Sequence, residues 1–365
     1  MSKVRYALIG FGGIAENRIA KEGFASDASR FKPLRQAVLV GATDINPKRK
    51  RAAQALGLAW YRDADAVLAD ASVEAVFIAT NNLSHAPLAR QALEAGKAVI
   101  VEKPLAPTSR EARALVKLAA KKRLSLSVDH MMTHNALNKK ARGLVADGTL
   151  GAVNDACFHM QFAYGFDPAE AATWRCSNRA EMGGPIGDVA SHCFYMAEFL
   201  LGSRIKAVRA VYYPKRMAIR VEDGALIQCD LANGVTCSVL VSFCDRRGGL
   251  GGTLSNLGYE IYGGRGALRG YGTLFQLSGH AGEPFKIRLE LDTFARQKDF
   301  TVTRPENIYQ GVIAEHAASV LKGEPLTCEE GLRNVLLCEA THRSAQRGGK
   351  SVVVEGDNAQ RSTLK

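Results

Sequence analysis

The sequence predicts an α/β protein whose first 130 residues form a doubly wound parallel sheet and whose remainder forms a separate α+β layer. Three observations carry this. Apolar runs alternate with helical segments through the first third, the first run feeds directly into a glycine-rich turn, and the second half holds a succession of strands with few helices between them. A chain of 365 residues has room for two domains at about 150 residues each.

The elements follow in order. "VRYALIG" (4–10) is an apolar strand that runs into "GFGGIA"; the segment 16–36 must hold an enlarged helix and loop before the second strand, "AVLVGATD" (37–44). A helix over 47–57 opens at Pro47 and stops at Gly57. Strand "VEAVFIAT" (73–80) precedes a helix over 84–95, capped by Ser84 and stopped by Gly96. Next come strand "AVIVEK" (98–103), a helix announced by Thr108 and Glu111 as a capping box, and "LSLSVDH" (124–130). Strands that are apolar throughout are buried on both faces, and such a sheet binds ligands at the carboxyl ends of its strands. After a helix over 135–147, strands are expected near 152–163, 205–213, 224–232, 235–245, 258–263, 286–292 and 299–303. Helices over 305–321 and 328–346 and a strand "SVVV" close the chain's second part. The expected domains are therefore 1–130 and 131–355, with a polar tail at 356–365 and a mobile loop at "RRGGLGGTLSN" (246–256).

Composition removes several function classes. The residues are 47% hydrophobic and 23% charged, ordinary for a globular protein. Net charge is +12, yet the basic residues are dispersed except at 47–51 and 121–123, and no nucleic-acid-binding signature accompanies them. The eight cysteines show no CxxC or zinc-type spacing, so no metal is expected and the thiols read as reduced and mostly buried, in a cytoplasmic setting. No run of 18 apolar residues and no cleavage signal appears, so neither a membrane span nor export is expected.

The chemistry-bearing residues lie at strand ends. Gly10, Gly12 and Ala15 fit G-x-G-x-x-G/A, which supplies a tight turn, close backbone approach to a pyrophosphate and close helix packing. Asp44 ends the next strand, where an acid accepts from both ribose hydroxyls and repels a 2′-phosphate; this favours NAD, with NADP the lesser alternative through Lys48 and Arg49. "TNNLSH" (80–85) and "EKP" (102–104) bring two further tips to the same edge. Lys103 leaves a buried strand there, although a snorkelling surface lysine would look alike, and His85 would also serve as a helix cap or packing residue. In "GGPIGDVASHCFYMAEFLLG" (183–202), Asp188 and His192 are four residues apart near a helix start, on one face. A capping aspartate and a core histidine account for that spacing as well. Cys193 points along a different direction from His192 and makes a poor nucleophile beside it.

With "GFGGIA", "TNNLSH", "EKP" and "GGPIGDVASH" in this order, the chain resembles the glucose-fructose oxidoreductase, inositol dehydrogenase and MocA family (Gfo/Idh/MocA) over roughly residues 4–355. The resemblance implies a Rossmann domain followed by a domain with a large, mostly antiparallel sheet that often forms the interface of a homodimer or homotetramer. It implies an NAD(P)-dependent dehydrogenase or reductase acting on the secondary alcohol or ketone of a sugar, sugar derivative or cyclitol. Lys103, Asp188 and His192 fall on the family's catalytic positions. The nucleotide would be held by Gly10, Phe11, Gly12, Gly13 and Ile14 at the first turn and by Asp44 at the ribose. Thr80, Asn81, Asn82 and His85 would hold it from the second tip, Glu102 and Lys103 from the third. Trp174 and Arg175 join Lys103, Asp188 and His192 as substrate contacts. His130 and Met131 stand where relatives often carry an aromatic-arginine pair, and Asn81 where a proline is frequent. Two other readings remain: an NAD-using glycoside hydrolase, in which relatives tend to lose the D-x-x-x-H arrangement kept here, and a non-catalytic dinucleotide-binding regulator.

Overall fold

The computed structural model describes residues 2–245 and 256–354; the loop expected over 246–256, apart from Asn256, and the tail expected at 356–365 lie outside these. The chain divides into two compact units, Met1–His134 with Pro305–Leu332 and Asn135–Arg304 with Arg333–Lys365. This corrects the expected boundary. The helix Ile308–Lys322, assigned by sequence to the second domain, belongs to the first, because its buried Val312, Ile313, His316 and Ala317 face the first sheet.

The first unit holds a six-stranded parallel sheet of β1 (Val4–Ile9), β2 (Ala37–Thr43), β3 (Ala59–Trp60), β4 (Ala75–Ile78), β5 (Ala98–Val101) and β6 (Leu126–Val128). Its order, β3-β2-β1-β4-β5-β6, reverses direction between β1 and β4, so the loops after those strands part and leave a crevice at their carboxyl ends. β4 and β5 are buried at every position, as apolar runs covered on both faces must be. The sequence reading missed β3 and the helix Ala64–Ala69: a two-residue edge strand has no apolar run to announce it. The helix after the glycine turn, Ala15–Gly23, is a π-helix.

The second unit is built on a nine-stranded sheet. Its strands are β7 (Val153–Gln161), β8 (Ile205–Tyr212), β9 (Gly224–Leu231), β10 (Thr236–Ser242), β11 (Leu257–Gly263), β12 (Gly266–Tyr271), β13 (Arg288–Thr293), β14 (Arg296–Thr301) and β15 (Val352–Val353). They lie in the order β14-β13-β12-β11-β7-β10-β9-β8-β15, with only β7 and β10 parallel among the pairs described. β12 was not expected, since the glycines in "GALRGY" hide its alternation. The helix Ser191–Leu201 packs on β7 and β10, and the helix Ala136–Ala146 on β12 and β13, so one face of the sheet is covered. Along the opposite face, β8 and β9 present Val211 and Leu226 as cross-strand partners, each 46% exposed.

Candidate active site

The glycine turn at the end of β1 has the shape that a dinucleotide requires. Gly10 adopts φ +90°, and a Cβ there would stand 2.6 Å from the Ala79 carbonyl oxygen, so only glycine lets β1 pass the end of β4. At Gly12 and Gly13 a Cβ would meet nothing within 4 Å: the turn's backbone faces open space at the start of a helix, where a pyrophosphate would sit. Phe11 is fully buried and offers only its main chain, whereas Ile14 is exposed.

Asp44 is fixed against this turn. Its Oδ2 accepts from the Phe11 N–H at 2.6 Å and its Oδ1 from the Asn46 N–H at 2.8 Å, and a carboxylate oxygen so engaged retains a second lone pair for a ribose hydroxyl. Arg49 donates from Nε to the Phe11 carbonyl at 2.6 Å, pairs with Glu16 and lies over the Phe11 ring at 5.8 Å. The arginine offered by sequence to a 2′-phosphate is thus held by the glycine turn, and Asp44 has not turned away. Asp44→Ala is expected to weaken NAD binding about tenfold, the equivalent of one charge-assisted hydrogen bond, and to narrow the preference over NADP. Fluorescence titration with both reduced nucleotides checks this, and an unaltered ratio would mean the acid does not face the ribose.

Further along the edge, Thr80 is half-buried and Asn81 exposed after β4, but Asn82 and His85 are turned inward. His85 was expected to touch the nucleotide. It is fully buried, with Nδ1 donating to the Pro104 carbonyl at 2.7 Å and Nε2 3.3 Å from the Thr80 carbonyl. Burial pushes its pKa down to about 4, so the neutral ring braces the β4 tip against the turn after β5. Lys103 sits in that turn, half-buried, before a cis peptide bond to Pro104, and its N–H donates to Glu102 Oε2 at 3.0 Å. His130 and Met131, after β6, are buried; burial and then the Lys103 ammonium push the His130 pKa down to about 3.

In the second unit, Asp188 lies on a single π-turn, Ile186–Ala190, that leads into the helix carrying His192. A π-turn bonds i to i+5, so the backbone at Asp188 is wound more widely than the α-helix that follows it. The helix cap is supplied elsewhere: the Ile186 N–H donates to Glu222 Oε1 at 3.1 Å. Gly184, at φ +90°, makes room for that carboxylate, since a Cβ there would stand 2.6 Å from the Glu222 carboxyl carbon. Asp188 accepts from Arg175 Nε at 3.2 Å, and the Arg175 guanidinium stacks on Trp174 at 4.6 Å and bonds Tyr164. Trp174, Arg175 and Asp188 therefore form one cluster. His192 is buried, with Nδ1 3.0 Å from the Tyr195 hydroxyl and the two rings edge-on. Cys193 is fully buried, and burial raises its thiol far above the ordinary value, which leaves it inert.

The structure thus gathers two clusters, one in each unit. Tyr195 and Glu222 were missed. Tyr195 stands three residues from His192, a helical neighbour that read as core, and Glu222 lies 36 residues from the amide it caps. Among the described residues, no group of three or more His, Cys, Asp or Glu is placed to hold a metal, and no helix is long and apolar enough to cross a membrane.

Known proteins match both halves of the chain. Residues 4–130 match the oxidoreductase family with an NAD-binding Rossmann fold, and residues 138–269 match the GFO/IDH/MocA C-terminal domain. The 1,5-anhydro-D-fructose reductase of Ensifer adhaerens is 26% identical over 301 residues, 80% of this chain and 83% of that protein. The D-apiose dehydrogenase of Paraburkholderia graminis is 28% identical over 365 residues, 95% and 89% of the two chains. A solved levoglucosan dehydrogenase in complex with NADH and levoglucosan superposes with a TM-score of 0.78 at 23% identity, covering 98% of this chain and 100% of that one. With both halves matched in order and the glycine turn shaped for a dinucleotide, the chain belongs to the Gfo/Idh/MocA family of NAD(P)-dependent oxidoreductases.

Proposed function

We propose that the protein transfers a hydride between NAD and a secondary alcohol or ketone of a sugar, sugar derivative or cyclitol, with Lys103, Asp188 and His192 as its catalytic residues. The observation that carries the reading is the partnering of Asp188. A capping aspartate would serve the helix amides; here Glu222 caps the helix and Asp188 pairs with a half-exposed arginine. NAD, when bound, supplies the hydride acceptor at its nicotinamide. His192 takes the hydroxyl proton, the general-base role that an imidazole most often fills, and Tyr195 holds its Nδ1. Lys103 bonds the reacting oxygen and stabilises the charge that develops on it. Asp188 and Arg175 orient a neighbouring hydroxyl. The half-exposed tip residues Thr80 and Glu102 and the exposed Asn81 bind the nucleotide, with Gly10, Gly12, Gly13 and Asp44 as its main support.

The test is to follow reduced nicotinamide by absorbance, with NAD or NADP and a panel of levoglucosan, 1,5-anhydrosugars, D-apiose, inositols and sugar acids. Reduction with one class names the substrate and the nucleotide together. A silent panel from a protein that binds NAD would overturn the dehydrogenase reading in favour of a hydrolase or a regulator. The sheet face bearing Val211 and Leu226 supports a homodimer or homotetramer, which light scattering on the purified protein measures directly. The eight free thiols, six of them buried, support a reducing, cytoplasmic setting.

A further inference from the structure

The carboxyl ends of β5 and β6 hold an acid that the proposed chemistry does not use. Val101 pairs with Val128, and the Asp129 N–H donates to the Val101 carbonyl at 2.8 Å, so Glu102 and Asp129 stand side by side where the two strands end. Asp129 is completely buried, and neither of its carboxyl oxygens meets a partner of conventional hydrogen-bond geometry among the described residues. An ionised carboxylate so placed would be costly, and such a group takes up a proton instead. Burial first, and then the Glu102 carboxylate, push the Asp129 carboxyl well above its usual range; the Lys103 ammonium opposes them and is the weaker influence. Glu102 in turn accepts the main-chain N–H of Lys103.

We propose that Asp129 is a positioning residue for Lys103 that acts through Glu102: the two carboxyl groups share one proton, and the pair fixes the main chain from which the lysine projects. The inference rests on the reading of Lys103 as the group that bonds the reacting oxygen. Two adjacent carboxyls cannot both ionise cheaply, so one proton stays between them, with the Asp129 O–H directed to Glu102. A lysine stem is flexible, and the aim of its ammonium depends on how firmly its base is held. Glu102 holds that base at the Lys103 N–H while His85 holds the Pro104 carbonyl. Three other titratable groups at this edge are quiet at neutral pH. Burial keeps His85 and His130 neutral and the Cys328 thiol, next to Gly331 where it packs on Val128, protonated. His134 is paired with Glu315 at 3.3 Å. As pH rises through the elevated Asp129 range the shared proton is lost, two like charges meet, and the brace opens.

Infrared spectra of the full chain at pH 7 test the proton itself: a carboxylic-acid carbonyl band is expected in the wild type and absent from Asp129→Asn. Turnover with NAD and the fastest sugar of the panel tests positioning. Asp129→Ala is expected to lower kcat by about tenfold to a hundredfold, the penalty of a misplaced group, with KM and NAD affinity within about twofold. Asp129→Asn, which keeps a donor toward Glu102 and cannot ionise, is expected to recover most of kcat and to hold it to higher pH than the wild type. A missing band in the wild type, equal losses in the Asn and Ala variants, or an Asn profile that superposes on the wild type would overturn the inference. If Asp129→Ala fails to fold, the infrared band and the Asn profile still decide. Lys103→Met, measured alongside, separates the two claims: if it is inactive while Asp129→Ala is normal, only the pair's role fails, and if it is fully active, the reading of Lys103 fails first.

Discussion

His192→Ala is expected to lower the rate of the chemical step by about a thousandfold while leaving nucleotide affinity within about twofold, because a positioned general base contributes about 10²–10⁴ to such a reaction. The division of labour between the units makes the effect separable. The glycine turn and Asp44 belong to the first unit and His192 to the second, so removing the imidazole leaves the nucleotide's support intact. With Nδ1 engaged by the Tyr195 hydroxyl at 3.0 Å, Nε2 is the nitrogen expected to take the substrate proton. Single-turnover formation of NADH, read beside a fluorescence titration of NADH binding, measures both quantities. Normal turnover in the variant would remove His192 from the mechanism and return it to the role of a core residue.

For Lys103→Met the expected loss is about 10²–10³ in kcat, the range found when one preorganised donor to a developing negative charge is removed. Methionine keeps much of the apolar stem and deletes the ammonium, so packing in the turn is largely preserved. The main-chain bond from Lys103 N–H to Glu102 does not depend on the side chain and should persist. Arginine in its place is not expected to restore activity, since its planar fork presents donors in a different geometry from a compact ammonium. A steady-state comparison of kcat and KM for the Met and Arg variants checks the assignment. A rise in KM alone would recast the lysine as a binding group.

How far the sequence could be read depended on the range of the interaction. The strands of the first unit were visible because β1, β4 and β5 are apolar runs, and the Asp188–His192 pair was visible because both residues belong to one short segment. What lay hidden was long-range or locally irregular. Nothing near residue 316 shows that His316 meets the Tyr6 hydroxyl at 2.7 Å, and so the helix that carries it was placed with the wrong domain. The ion pair between Asp188 and Arg175 was hidden because Arg175 belongs to a separate short helix, Trp174–Ser177, 13 residues upstream. The hydrogen bond from His85 to the Pro104 carbonyl was hidden for a related reason: the two residues are 19 apart and meet across a turn.

The return of Ile308–Lys322 to the first sheet also governs the order in which the protein can be made. Tyr6 and His316 are separated by 310 residues, so the partner of the first strand is still unsynthesised while nearly all of the chain is being translated. At about 5–20 residues per second, a ribosome needs on the order of 15–60 s to reach that helix. During that interval the nucleotide-binding sheet stands with the surface meant for Val312, Ile313 and Ala317 uncovered. Eight of the nine strands of the second sheet, β7 to β14, emerge before that helix, so the unit that begins the chain is completed only after most of the other has been made.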